Sequence, residues 1–263
     1  MAITTLKLGE HTVTYVADGE VRLRAKAWLP GTTDEFWASY PEYADDHQHL
    51  HASIGGLLVE HGDRALLIDA GFGPTANDPQ PGTPYAGIHG GALLDSLAAL
   101  GKAPGDIEAV AITHLHTDHI GWLWQGDRPF AHADVLIAEE EWASTTHREL
   151  REAITSQVRT VEDGAEIFPG VRVKLTPGHT PGHAAYVIGE GETQLVAFGD
   201  ALHSPAQVAH PEYGSTVDHD GEQSAAFRRK LVEELEATGA IGFGVHFGGF
   251  QFGRVVAGAW QAL

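Results

Sequence analysis

The ten residues Thr113-His114-Leu115-His116-Thr117-Asp118-His119-Ile120-Gly121-Trp122 constrain this chain more than any other stretch. Three histidines and an aspartate fall within six positions, straight after the apolar run Ile107 to Thr113, which reads as a short buried strand. His114 and His116 lie two apart, so an extended backbone points both the same way, toward one metal. Asp118 and His119 follow where the strand should give way to a helix, and they can face a second metal. Imidazole and carboxylate donors suit zinc, with iron or manganese as alternatives. A polar loop with incidental histidines is the competing reading. It is the poorer one, because burying four such groups unpaired costs on the order of several kcal/mol.

Three more polar residues stand where an apolar run stops. His179 follows Thr176-Pro177-Gly178, Asp200 follows Ala197-Phe198-Gly199, and His246 follows Phe243-Gly244-Val245. Strand ends are where α/β architectures build sites. Composition agrees with a histidine-based centre: the chain has 17 histidines and no cysteine, which removes disulfides, thiol nucleophiles and thiolate ligands together. Acidic residues outnumber basic ones 36 to 16, for a formal charge of −20. A surface of that sign repels phosphate backbones and anionic lipid, so neither nucleic acid nor a membrane is the expected partner. The first residues, MAITTLKLGE, show no basic region followed by an apolar run, and no apolar stretch of about 18 residues marks a membrane span. The absence of cysteine fits a cytoplasmic setting.

Along the chain, residues 3–16 read as strand, and 53–60 and 65–68 read as a hairpin that runs into Asp69-Ala70-Gly71-Phe72-Gly73. Residues 74–90, rich in Pro, Gly and Asp, read as a long loop, and 91–100 as a helix. A strand at 133–138 precedes a polar helical stretch to about 159. Strand 171–175, a hairpin of 184–188 with 194–198, a helix at 222–237 and a strand at 241–245 complete the pattern. Phe227, Leu231 and Leu235, spaced by four, give that last helix one apolar face. The two halves have similar order and no linker divides them, so 1–263 is expected to be one domain.

The segment THLHTDHIGW resembles the HxHxDH signature of the metallo-β-lactamase superfamily, and the later histidines and aspartate match that family's remaining ligands in order. The resemblance runs from about Ser53 to Arg254 and implies an α/β fold, an αββα sandwich of two sheets with helices on the outer faces. It implies two divalent metal ions, zinc before iron or manganese. His114, His116 and His179 would hold one; Asp118, His119 and His246 would hold the other, with Asp200 bridging. Asp69, in LLIDAGFG, would orient a histidine ligand. A histidine at 116 disfavours the flavo-diiron relatives, which carry Glu there. The lack of cysteine excludes the cysteine-liganded β-lactamases, and there is no room for the inserted domain of RNA-processing members. GDALHSPAQVAHPEYGS and GVHFGGFQFGRVV look most like the branch that holds methyl parathion hydrolase. Acyl-homoserine lactonases carry Tyr three residues after the bridging Asp, where this chain has His203.

The expected activity is therefore that of a metal-dependent hydrolase. A metal-bound hydroxide, its pKa lowered from ~15.7 toward ~7, cleaves a small ester, lactone or phosphotriester. A mononuclear iron dioxygenase or a glyoxalase-like thioesterase of the same fold is the alternative, and a metal-stabilised binding protein is a third. Asp118 can hold the nucleophile's proton, and His203 reads as a substrate-facing donor ahead of a packed loop histidine. His183 reads as structural. His47, His49 and His51, with no acid following, read as a loop or strand edge. Trp122 and Trp124 read equally as a pocket wall or as core, and Phe36 and Trp37 can cap the same cleft. A homodimer is left open.

Overall fold

The computed structural model describes residues 4–263, the side chain of Glu192 excepted. Its first sheet contains β1 (Thr5–Leu8), β2 (His11–Arg24), β3 (His49–His61), β4 (Arg64–Ile68), β5 (Ala76–Asn77), β6 (Tyr85–His89), β7 (Ala109–Ala111), β8 (Asp134–Ala138) and β9 (Val158–Val161). Their spatial order is β5-β6-β2-β3-β4-β7-β8-β9, with β1 paired to β2. The second sheet runs in chain order through β10 (Glu166–Phe168), β11 (Val171–Leu175), β12 (Ala184–Ile188), β13 (Leu195–Ala197), β14 (Ile241–Phe243), β15 (Phe252–Val256) and β16 (Ala259–Ala262). The helices are α1 (Ala25–Trp28), α2 (Asp34–Ala38), α3 (Leu93–Ala99), α4 (Thr117–Trp124), α5 (Glu139–Ser144), α6 (Arg148–Ile154), α7 (Ala206–Ala209) and α8 (Gly221–Thr238). Among the described residues, no helix is long and apolar enough to cross a membrane.

Side-chain alternation along the strands sorts the apolar residues into layers. Val13, Tyr15, Leu57, Val59, Leu66 and Ile68 of the first sheet meet Val171, Val173, Tyr186, Ile188 and Phe243 of the second in a shared core. The opposite face of the first sheet, with Leu58, Leu67, Val110 and Ile112, packs under α3, α4 and α6. Val196 and Phe198 of the second sheet pack under α8 through Leu231, Val232 and Leu235. The order is helix, sheet, sheet, helix, as expected of an αββα sandwich. Strands β4 and β7 are parallel, as are β13 and β14. The residues that leave their carboxyl ends are the ones that build the site.

Several expected boundaries moved, β2 running on to Arg24 and β3 starting at His49 among them. Gly9, at φ 60°, breaks the expected strand into β1 and β2, and Ile3 lies outside the described residues. The polar stretch stops being helical at Ile154, and Val158 starts β9. Residues 74–90 are not all loop: β6 pairs with the second half of β2, placing Tyr85 opposite Leu23 and Ile88 opposite Val21. Pro and Gly mask so short a strand, and its partner lies some sixty residues away in the chain.

One carboxylate ties these parts together. β2 bulges between Ala17 and Gly19, and the buried Asp18 turns inward there. Its Oδ2 accepts from the backbone N–H of Phe72 (2.7 Å) and Gly73 (3.1 Å). Its Oδ1 accepts from Gly91 N and Leu93 N (both 3.0 Å) and from Trp122 Nε1 (2.8 Å). β2, the loop after β4, the start of α3 and α4 thus share one anchor. Next to it, a Cβ on Gly19 would sit 1.8 Å from the His89 carbonyl, so the bulge admits only glycine. Asp18→Ala strands these buried donors and should destabilise the protein by about 3–5 kcal/mol. Asp18→Asn, which keeps one acceptor oxygen, should recover part of this in denaturant unfolding.

Candidate metal centre

β7 ends at Ala111, and the next residues turn inward to α4. Thr113 N donates to Asp69 Oδ1 (2.8 Å) and Thr113 Oγ1 donates to Asp69 Oδ2 (2.8 Å), which locks this loop to the one after β4. Asp69 itself stands at φ 63°, a left-handed conformation that aspartate tolerates better than most residues. His114, His116, His179 and Asp200 place one donor atom each within 4.8 Å of one another, and Asp118, His119 and His246 form a second such group. Asp200 spans them. Its Oδ1 lies 3.2 Å from His119 Nε2 and 3.1 Å from His246 Nε2. Its Oδ2 lies 3.4 Å from His179 Nε2 and 3.6 Å from His114 Nε2.

The imidazoles are held from behind. His119 Nδ1 lies 2.9 Å from Asp69 Oδ2, and His114 Nδ1 lies 3.1 Å from Thr113 Oγ1, so Asp69 orients both. His246 Nδ1 donates to the Ser53 carbonyl (2.9 Å). His179 Nδ1 donates to Asp218 Oδ1 (2.8 Å), and Asp218 Oδ2 in turn faces Arg228 Nη2 at 3.6 Å. Arg228 is fully buried in α8, and it also donates to the carbonyls of Pro211 (2.9 Å) and Ala201 (3.0 Å), the latter next to Asp200. His183 accepts from Asp200 N (3.0 Å) through Nε2 and bonds Thr176 Oγ1 (2.7 Å) through Nδ1, a structural role. Glu141 of α5 accepts from Leu115 N (2.8 Å) and Gly182 N (3.1 Å), joining the two ligand-bearing loops. Fixing the far nitrogen of an imidazole sets which nitrogen is free to bind.

The same packing sets the proton affinities. Burial, then neighbouring imidazoles, hold His114 well below its usual value and push His116 down to about 4 and His183 to about 3. Burial also opposes charge on His119, but Asp200, Asp69 and Asp118 outweigh it and hold that imidazole well above its usual value. His179 is likewise carried up to about 9, against burial, by Asp200 and Asp218, and His246 is raised by Asp200. Against burial, His246, His119 and His114 hold the Asp200 carboxyl well below the usual carboxylate range.

These donors fit a pair of cations. His114 Nε2 and Asp200 Oδ1 are buried without a hydrogen-bond partner. His116 Nδ1 faces His179 Nε2 at 3.1 Å and His119 Nε2 faces His246 Nε2 at 3.3 Å, nitrogen against nitrogen. A cation shared between each pair relieves both arrangements.

A cleft of about 350 Å³ opens onto this centre, with Asp118, His116, Asp200 and His246 on its floor. Its walls are Val21, Leu23, Trp28, Phe72, Tyr85, Ile88, Leu115 and Val217. Trp122 and Trp124 are not among them: Trp122 is core and bonds Asp18, and Trp124 packs on His147. Trp37 is buried on Thr32, and Phe36 packs on Tyr40, His210 and Tyr213, so neither caps the cleft. His203 also departs from expectation. It is 1% exposed, stacked on His246 (6.0 Å) and edge-on to Trp28 (5.1 Å), with Nε2 3.3 Å from Asp200 Oδ2. Gln207 Oε1 accepts its backbone N–H at 2.6 Å, and the residue borders a second cavity of about 220 Å³. His51 lines that cavity too, paired with Asp45 at 3.3 Å; His49 is in β3 and His47 lies in the loop before it. Asp18, Glu141, Asp218 and Arg228 escape a sequence reading because each acts only through contacts made across the fold.

Residues 57–238 match the family described as the metallo-beta-lactamase superfamily. An N-acyl homoserine lactonase of Bacillus thuringiensis is 26% identical over 158 residues, 53% of this chain and 59% of the lactonase, so the match spans less than two thirds of that relative. Metallo-beta-lactamase domain-containing protein 1 of Xenopus laevis is 28% identical over 174 residues, 65% of each chain. Among solved structures, AidC, a dizinc quorum-quenching lactonase in complex with a product, superposes with a TM-score of 0.85 at 24% identity, covering 100% of this chain and 97% of its own. AbOPH, a hydrolase of the beta lactamase superfamily, gives 0.82 at 23%, covering 99% and 97%. Identities this low speak for the fold.

Two expectations concern metal binding. Asp218→Asn keeps one acceptor oxygen for His179 but removes the charge that makes that imidazole more basic, and should weaken zinc binding about 10–100-fold in chelator competition. Because His119, His179 and His246 hold protons where a cation would sit, zinc uptake should release protons. Apparent affinity should fall as pH drops below about 9, the value for His179. Calorimetry in buffers of different ionisation enthalpy reads that release directly.

Proposed function

Because the chain belongs to the metallo-beta-lactamase superfamily, we propose that it is a binuclear metal-dependent hydrolase of small neutral esters, lactones or phosphotriesters. The observation that carries this reading is the pair of donor groups bridged by Asp200 on the floor of an apolar cleft. His114, His116 and His179 would hold one divalent ion, and Asp118, His119 and His246 the other, with zinc favoured by the donor set and by the dizinc relative. When bound, the ions supply Lewis acidity, activating water near neutral pH and polarising the substrate oxygen. Asp118, partly exposed on the cleft floor, would accept the proton that the attacking water gives up. His203, packed with Nε2 3.3 Å from Asp200 Oδ2 and absent from the cleft lining, would support that carboxylate rather than touch substrate. We read residues 1–263 as one domain, since one apolar core joins both sheets.

The cleft selects the substrate class. Asp78, Asp118 and Asp200 line it, and no lysine or arginine does among the described residues. Away from the donors that would hold the ions, the lining offers Asp78 and no basic side chain, so an anionic substrate tail would find no counter-ion there, whereas an uncharged one would bury its chain on Val21, Leu23, Phe72 and Ile88. The curated lactonase relatives agree with a neutral substrate. Glutathione thioesters and persulfides, the substrates of the thioesterase and dioxygenase readings, carry carboxylates and suit the cleft poorly.

The test is a panel on zinc-reconstituted protein: aryl alkanoates, acyl lactones and neutral phosphotriesters against phosphodiesters and glutathione thioesters. Neutral members should turn over, with kcat/KM rising about fourfold per added methylene, at about 0.8 kcal/mol each, until the cleft is full. Elemental analysis should find two zinc ions per chain, one for each donor group. Faster turnover of a glutathione thioester, or a single iron per chain, would overturn the reading.

A further inference from the structure

Tyr85 opens β6, and its ring sits edge-on to Trp28 at 5.9 Å. Both line the cleft whose floor holds Asp118, Asp200 and His246. Among the described residues the Tyr85 hydroxyl has no hydrogen-bond partner, so its proton is free for a guest in the cleft. Burial, then the Asp118 and Asp200 carboxylates, push its pKa up to about 12, so it remains an O–H donor at neutral pH.

The residue is also held in place. Arg24, at the end of β2, donates through Nη1 to the carbonyls of Gln80 (3.2 Å), Thr83 (2.7 Å) and Tyr85 (2.6 Å). Its backbone N–H donates to Pro84 O (2.8 Å). One guanidinium thus fixes the turn that presents Tyr85. The other side-chain donors of this hairpin that line the cleft, Asn77 and Gln80, are exposed at its rim. His203 is packed behind Asp200.

We propose that Tyr85 is a catalytic residue of the hydrolysis inferred above, its hydroxyl donating a hydrogen bond to the substrate oxygen that gains negative charge as the acyl or phosphoryl centre is attacked, with Arg24 as its positioning residue. The O–H bond stays intact; only the strength of the hydrogen bond changes as charge develops. A donor placed where charge appears stabilises the transition state more than the ground state, so it acts on kcat.

The proposal rests on the hydrolase reading for its kinetics but not for its binding test. In the zinc-loaded protein, Tyr85→Phe should lower kcat on the best neutral ester about 10²-fold, with KM within about threefold, and with metal content and unfolding midpoint as in wild type. Arg24→Met should shift kcat the same way by less, and Arg24→Lys should restore part of the loss. An alkyl methylphosphonate monoester carries the charged tetrahedral oxygens of such a transition state, and its affinity can be measured without turnover. Tyr85→Phe should weaken that affinity about tenfold or more. If wild type cleaves no ester yet the phosphonate effect appears, the hydrolase reading falls and the donor role of Tyr85 stands. Phosphonate affinity unchanged in Tyr85→Phe, or no phosphonate binding by wild type, overturns the proposal.

Discussion

The Asp200 carboxylate is 3% exposed and surrounded by imidazoles. A charge so far from water must be matched by partners or it would cost several kcal/mol of stability, by the usual order of magnitude. Much of the surrounding structure follows from this requirement. His183 caps its backbone N–H from one side, and Arg228 holds the next carbonyl, that of Ala201, from the other. Its two oxygens then point at separate groups of nitrogens, each fixed by a partner of its own: Asp69 and Thr113, Ser53, and Asp218. The centre is a buried polar network in which nearly every member is oriented by a residue outside it, and the atoms left over converge where cations fit.

The sandwich makes this convergence possible. Each sheet contributes from the carboxyl ends of parallel neighbours: Asp69 after β4 and the histidine segment after β7 in one, Asp200 after β13 and His246 close after β14 in the other. His179 comes from the loop that joins β11 to β12. Strand ends can fix such residues because the strands themselves are locked by the core between the sheets. Glu141 and Asp18 then stitch loops to loops, so that each donor-bearing segment is tied down at more than one point.

Much of this could be read from the chain, and what could be read was local. THLHTDHIGW concentrates its donors in a few residues after an apolar run, and the later His179, Asp200 and His246 each mark the stop of such a run. The residues that orient them carry no local sign. Asp218 sits in a polar loop, and Arg228 is one of two adjacent arginines on a helix whose apolar spacing is otherwise ordinary. Asp18 and Glu141 look like surface acids. Their roles appear only when segments far apart in the chain meet, which periodicity cannot register. Trp122 had two equal readings because an indole beside a polar motif suits a pocket wall and a core alike. Its bond to Asp18 settles it as core.

The hairpin of β5 and β6 shows why a stretch read as loop can still determine what a site accepts. Rich in Pro and Gly, it extends the first sheet alongside β2 and supplies Tyr85 and Ile88 to the cleft wall. Its rigidity comes from Arg24 and its sheet pairing rather than from a core of its own. The cationic groups that reach this scaffold are engaged elsewhere: Arg24 faces backbone carbonyls, and Arg228 faces Asp218 and two carbonyls. In a chain of net charge −20, these are among the few positive groups available. With these cations holding the frame, the cleft keeps apolar walls and carboxylates, and among the described residues no lysine or arginine lines it.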